Sequence, residues 1–167
     1  MEKICLPSPE DPITLEGKTL SLLGFGQTYE DERNDDPGLL REVFMTVYSR
    51  TYCNNKHNVT GDNWQAKINE KKIRTTFPND TYIFSENQFC AGSGRKKIGS
   101  CSGDSGGAAL YSPDPSTPWV QYGLNYGNVG DNNCDSHQYP STFMRLNDPG
   151  ISNWIQETMK SMYILLS

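Results

Sequence analysis

The sequence is short of long apolar runs. The longest, Met162-Tyr163-Ile164-Leu165-Leu166, has five residues, against the roughly 20 that a membrane-crossing helix needs. There is no internal repeat, no long low-complexity linker and no sustained heptad, so a coiled coil or a collagen-like chain is excluded. Positive charge is not in excess: 15 Lys and Arg face 20 Asp and Glu, for a net charge of −5, which argues against a general binder of nucleic acid or other polyanions. Histidine is scarce, with two residues. No C-x-x-C pair occurs among the five cysteines, so a structural zinc site is not expected, and no other metal or cofactor is called for. The first ten residues, Met-Glu-Lys-Ile-Cys-Leu-Pro-Ser-Pro-Glu, contain no apolar core of the kind a signal peptide requires.

What is present points to a folded, mostly β domain. Nine Tyr, six Phe and three Trp in 167 residues supply large side chains to bury. Short segments rich in β-branched, aromatic and leucine residues are separated by Gly, Pro, Asn and Asp. These predict strands at Thr19–Phe25, Leu39–Tyr48, Asn87–Ala91, Gly107–Tyr111, Trp119–Asn125 and Ser141–Leu146. Ile151, Trp154, Ile155, Met159 and Met162 recur at helical spacing behind Asp148 and Pro149, predicting a closing helix with Asp148 as its N-cap. A weaker helix is expected near Asp62–Arg74.

Cys5, Cys53, Cys90, Cys101 and Cys134 are widely spaced. Two disulfides and one leftover thiol is the extracellular reading, and spacing alone leaves the pairing open. Asn58-Val59-Thr60 and Asn79-Asp80-Thr81 have the form of glycosylation acceptors. Such chemistry without an export signal suggests a piece of a longer secreted protein. The acidic run Glu30–Asp36 lacks the ligand order of a calcium loop, and with Arg95-Lys96-Lys97 it reads as solvated surface.

The most informative stretch is Cys101-Ser102-Gly103-Asp104-Ser105-Gly106-Gly107. Taken alone, Gly103–Gly107 fits a G-x-S-x-G nucleophile elbow. An elbow should lead from a strand into a helix, yet here Ala108-Ala109-Leu110-Tyr111 continues as a strand, so the α/β-hydrolase reading fails. The bland reading is a Gly/Ser/Asp turn without chemistry, and the flanks decide against it. Phe89-Cys90-Ala91-Gly92, the Cys101–Gly107 turn, Tyr122–Gly127, Cys134, Pro140–Leu146 and Trp154-Ile155 follow one another in that order, preceded by Ile4–Pro7 and Gly24–Thr28. The series resembles the C-terminal half of the chymotrypsin-like (trypsin-fold) serine proteases, and the resemblance covers essentially residues 1–167.

That resemblance implies an all-β fold: a six-stranded antiparallel Greek-key β-barrel, the second barrel of a trypsin-like domain, with a C-terminal α-helix. It implies Ser105 as the nucleophile that attacks a peptide carbonyl of a polypeptide substrate, with the amides of Gly103 and Ser105 as oxyanion hole. Asp104 matches the carboxylate that receives a new N-terminal amine on zymogen cleavage. Gly99, Ser100, Asn125, Tyr126, Gly127 and Ser141 fall at the substrate pocket. The pairings implied are Cys101 with Cys134 and Cys53 with Cys90, while Cys5 matches a cysteine that tethers the domain to an upstream chain. A further family disulfide has Leu20 and Tyr111 at its two positions, so apolar packing is expected there.

Departures from the pattern are equally specific. The family's histidine and aspartate belong to the first barrel, which residues 1–167 do not contain. His57 and His137 lack the expected context for a catalytic base, so this chain is expected to be inactive alone. Gly99 puts no charge at the pocket floor, which suggests a medium apolar or aromatic residue before the scissile bond. Asn125 replaces the usual Ser, and Phe25, Tyr126 and Ala108 replace Trp, Trp and Pro. The alternative function is a non-catalytic protease homologue acting as a binding or regulatory module.

Overall fold

The computed structural model describes residues 4–11, 13–28, 39–56, 86–128, 134–137 and 140–166. Six strands are present: β1 (Thr19–Gly24), β2 (Arg41–Val47), β3 (Gln88–Gly92), β4 (Ala108–Tyr111), β5 (Val120–Asn128) and β6 (Ser141–Arg145). All pair antiparallel and close into a barrel in the order β1-β2-β3-β6-β5-β4. Every strand expected from the sequence is found, with ends shifted by a few residues. The largest shift is in β5, which extends to Asn128.

Alternation builds the barrel interior, because successive side chains of a strand point to opposite faces. Leu20 and Leu22 from β1, Met45 and Val47 from β2, Phe89 from β3 and Phe143 from β6 meet in one buried cluster. Phe89 and Phe143 are register partners, and their rings stack with centroids 5.0 Å apart. Leu20 belongs to this core and Tyr111 packs against it, so the two positions of the missing disulfide are in apolar packing as expected. Leu15, from the segment before β1, fills the same core. That segment is anchored by the Tyr122 hydroxyl, which donates to Asp11 from across the chain.

Among the described residues, two helices accompany the barrel. Residues 50–56 form a short helix, α1, which the sequence reading missed. Its cap is Ser49, whose hydroxyl accepts the Tyr52 amide at 3.1 Å. The expected helix near 62–74 lies outside the described residues, as do Asn58, Asn79, His57 and the acidic run 30–36. The C-terminal helix α2 (Pro149–Leu166) starts as predicted: the Asp148 carboxylate accepts the Ile151 amide at 3.1 Å. Its packing is sparse. Trp154 is 66% exposed, Met159 and Met162 are about half exposed, and Ser152 is the one buried residue between 149 and 162. No described helix is long and apolar enough to cross a membrane.

Candidate functional site

The turn Cys101–Gly107 links the segment after β3 to the start of β4, and backbone and side-chain groups both hold it. The Asp104 amide donates to the Cys101 carbonyl at 3.1 Å, and the Gly107 amide to the Asp104 carbonyl at 3.0 Å. Gly106 donates to the Asn125 carbonyl at 2.7 Å, and the Asn125 amide returns to Gly107 at 2.9 Å. Gly103 has φ +94° and Gly106 φ +84°, a region that side chains with a Cβ rarely adopt. Turn and strand are thereby locked together, leaving Ser105 exposed at the crest.

Within this turn, the amides of Ser102, Gly103 and Ser105 have no acceptor among the described residues, whereas those of Cys101, Asp104, Gly106 and Gly107 all do. The Ser105 hydroxyl likewise has no described partner. An exposed hydroxyl beside free amides is the arrangement that can attack a carbonyl and hold the oxygen that becomes negative. Asp104 turns the other way. One carboxylate oxygen accepts the Gly26 amide at 2.8 Å and the other the Cys101 amide at 2.9 Å.

Glycines make that carboxylate's place. A Cβ on Gly24 would lie 2.0 Å from an Asp104 oxygen, and one on Gly26 would lie 2.5 Å from its carboxyl carbon. Behind the turn is a cavity of about 190 Å³ lined by Leu22, Gly24, Val43, Lys97, Ile98 and Asp104. Lys97, read from sequence as solvated surface, is exposed in its turn but also borders this cavity.

The expected pocket residues divide into two groups. Ser100, 1% exposed, donates to the Asn128 side-chain oxygen at 2.6 Å and bonds to the Ser141 hydroxyl at 2.8 Å. The Asn128 amide closes the ring on the Ser100 carbonyl at 2.7 Å. Gly99 packs on Ser136, where a Cβ would lie 2.7 Å from the serine Cβ. Ser136 is buried and its hydroxyl accepts the Ser93 amide at 2.9 Å. Gly127 meets Thr142, which donates to its carbonyl at 2.9 Å.

Tyr126 and Asn125 stand apart from this ring. Tyr126 occupies the register shift between β5 and β6 and is 48% exposed, in keeping with the tendency of bulges to re-aim a side chain near a site. Asn125 lies beneath the serine turn: it is 2% exposed and its side-chain amide donates to the Asp104 carbonyl at 2.9 Å. Its Oδ1 has no described partner. Asn128 and Ser136 were missed from sequence. Their partners lie 28 and 43 residues away, and only the serine and asparagine content of the loops hinted at them.

Both disulfides implied by the resemblance are present, Cys53–Cys90 and Cys101–Cys134, with Cα separations of 5.9 and 4.7 Å. The second fastens the serine turn to the loop that carries Ser136. Cys5 is a free, exposed thiol among the described residues. Its carbonyl accepts the Gln121 amide at 2.9 Å, and it forms an isolated parallel bridge with Val120. His137 is exposed, and its ring makes no hydrogen bond to a described residue. No group of three or more potential metal-ligating side chains occurs among the described residues.

Comparison with known proteins agrees with this geometry. The family model described as Trypsin matches residues 1–155. Ovochymase of Halocynthia roretzi is 26% identical over 143 residues, which is 86% of this chain and 7% of that protein. CLIP domain-containing serine protease B10 of Anopheles gambiae is 27% identical over 158 residues, 94% of this chain and 34% of that protein. The chain thus spans about a third or less of the relatives it matches. With a closed six-stranded barrel, a terminal helix and a family match across nearly its whole length, the chain belongs to the trypsin family.

Proposed function

We propose that these 167 residues are the second half of a secreted serine endopeptidase's catalytic unit, carrying the nucleophile Ser105 but neither the histidine nor the aspartate that would activate it. The observation behind this reading is the serine turn, with Ser105 exposed beside unbonded amides of Gly103 and Ser105 while Asp104 is pinned behind it. In the complete protein, Ser105 Oγ attacks the substrate carbonyl while a histidine of the missing barrel takes its proton. The two amides hold the oxyanion, the amine leaves with that proton, and water releases the acyl group from Ser105. The cavity in front of Asp104 has the size and mixed lining to receive an N-terminal amine with an apolar side chain, consistent with activation by cleavage upstream.

The missing barrel is the natural partner. Cover is wanted by the exposed Trp154, Met159 and Met162 of α2 and by Phe25, Leu39 and Phe44 on the barrel. Cys5, exposed at the chain start, is available as a tether to an upstream chain. Disulfides at Cys53–Cys90 and Cys101–Cys134 favour an extracellular setting. Gly99, Gly127 and Ser141 bring no charge to the pocket, which favours a medium apolar or aromatic residue before the scissile bond. A second reading, a non-catalytic binding module, draws on Asn125, which presents an unbonded acceptor where the family has a serine hydroxyl.

A fluorophosphonate probe tests the choice. The activated full-length protein should be labelled on Ser105, with Ser105→Ala unlabelled. The 167-residue chain should react at least about a hundredfold more slowly, the usual worth of a general base. Absence of labelling in a full-length protein after cleavage would establish the binding-module reading instead.

A further inference from the structure

On another part of the barrel lies a cavity of about 380 Å³ that shares no lining residue with the serine turn. Its apolar side is Ile13, Leu15, Val47 and Phe89, and two arginines, Arg50 and Arg145, enter it. Arg50 opens α1 and makes a 3.6 Å ion pair with Glu86, the Arg50 side chain about half exposed and Glu86 largely in water. Arg145 ends β6, and its guanidinium stands 5.4 Å over the Phe89 ring. The Arg145 Nε is buried and has no hydrogen-bond partner among the described residues.

Arg145 is in an unusual position for a cation. Its guanidinium makes no described hydrogen bond, and burial and then the neighbouring Arg50 both push its pKa below the usual arginine value, with Asp148 opposing. A buried Nε without an acceptor is costly, and a planar carboxylate is the group that matches the guanidinium fork. The other carboxylates of the cavity are engaged or turned to solvent. Asp11 takes the Tyr122 hydroxyl and the Ile13 amide, Glu86 takes Arg50, and Glu16 is exposed. Those three negative charges also disfavour a multiply charged phosphate or sulfate.

We propose that this cavity is a second binding site, separate from Ser105, for a carboxylate carried on a short apolar body. The carboxylate lies against Arg145, with Arg50 beside it in its pair with Glu86, and the apolar body lies against the half-buried Ile13 where the buried Leu15, Val47 and Phe89 meet the cavity. A peptide C-terminus ending in an aliphatic residue and a free organic acid share this chemistry. The site does not depend on the protease reading.

The test is a titration of the nitrogen-15-labelled 167-residue chain, following the backbone amides of Val47, Tyr48 and Phe89. N-acetyl-L-leucine should give saturable shifts with a dissociation constant on the order of a few millimolar. N-acetyl-L-leucinamide should bind at least about tenfold more weakly, since only the acid can accept the guanidinium fork. A peptide with a free C-terminal leucine, set beside its amidated form, identifies the source: tighter binding than the free acid assigns a chain end, weaker binding a small acid. Arg145→Met should weaken N-acetyl-L-leucine about tenfold while keeping the cooperative melt. Should that variant misfold, Arg145→Lys keeps the charge, loses the fork and should weaken binding about fivefold. Equal binding of acid and amide, equal binding of inorganic phosphate, or undiminished binding by the arginine variants would overturn the proposal.

Discussion

The serine turn and the C-terminal helix are two well-formed pieces of the same chain with opposite dependence on their surroundings. The turn finds its partners within residues 24–27, 101–107, 125 and 134. The helix has a proper cap in Asp148, but its apolar side chains at 154, 159 and 162 face outward. Most helix stability in proteins comes from packing an apolar face, and here Trp154, Met159 and Met162 are left about half exposed or more. Local completeness in one region and incompleteness in the other is what the proposed half-unit predicts.

Breaking the turn should have the largest effect. Gly26→Ala drives a Cβ into a carboxylate already fixed by two amides, so about 3 kcal/mol of stability should be lost in urea unfolding. Asp104→Asn keeps the size but turns an NH₂ against one of the two amides. Roughly 2 kcal/mol should go, because one buried donor is left unmade, and probe labelling of the full-length protein should fall with it.

Tyr122→Phe removes the hydroxyl bond to Asp11 and should cost about 1 kcal/mol at neutral pH. Burial, followed by the Asp11 bond and its charge, raises the Tyr122 pKa well above its ordinary 10.0. The native state therefore holds its proton where the unfolded state has lost it, and this contribution to stability declines as pH rises above about 10. Guanidinium unfolding across pH 9 to 11 should show a shallower alkaline decline in the variant.

The smallest effect sharpens the comparison most. Trp154→Ser should change the stability of the isolated chain by less than about 0.5 kcal/mol, as for other exposed positions. In the full-length protein the same change should cost about 3 kcal/mol, the loss of a buried aromatic. Equal costs in the two settings would remove the reason for assigning α2 an outside partner.

Much of this was legible in advance, for physical reasons that differ by region. Strands announced themselves because segments rich in β-branched, aromatic and leucine residues, such as those carrying Leu20, Leu22, Met45 and Val47, are bounded by Gly, Pro, Asn and Asp. The serine turn was legible through the resemblance carried by its ordered flanks, and its glycines fit because Gly103 and Gly106 hold positive φ. Helix α1 was not, since Thr51, Tyr52, Cys53, Asn54 and Asn55 are modest helix formers. Ser49 was its one local signal, and the Cys53–Cys90 bridge ties it down from a distance. The grip of Gly26 on Asp104 spans 78 residues, and the Ser100–Asn128–Ser141 ring joins three separate segments. Such contacts follow from how the barrel closes, which no local pattern records. The cavity at Arg145 is of the same kind.

The placement of Cys5 has a mechanical consequence. Its carbonyl is fastened to Gln121 at the start of β5, and β5 carries Asn125, whose side chain and backbone grip the serine turn. Tension applied at Cys5 would be delivered to the strand that cradles Ser105, and would not dissipate in a slack leader.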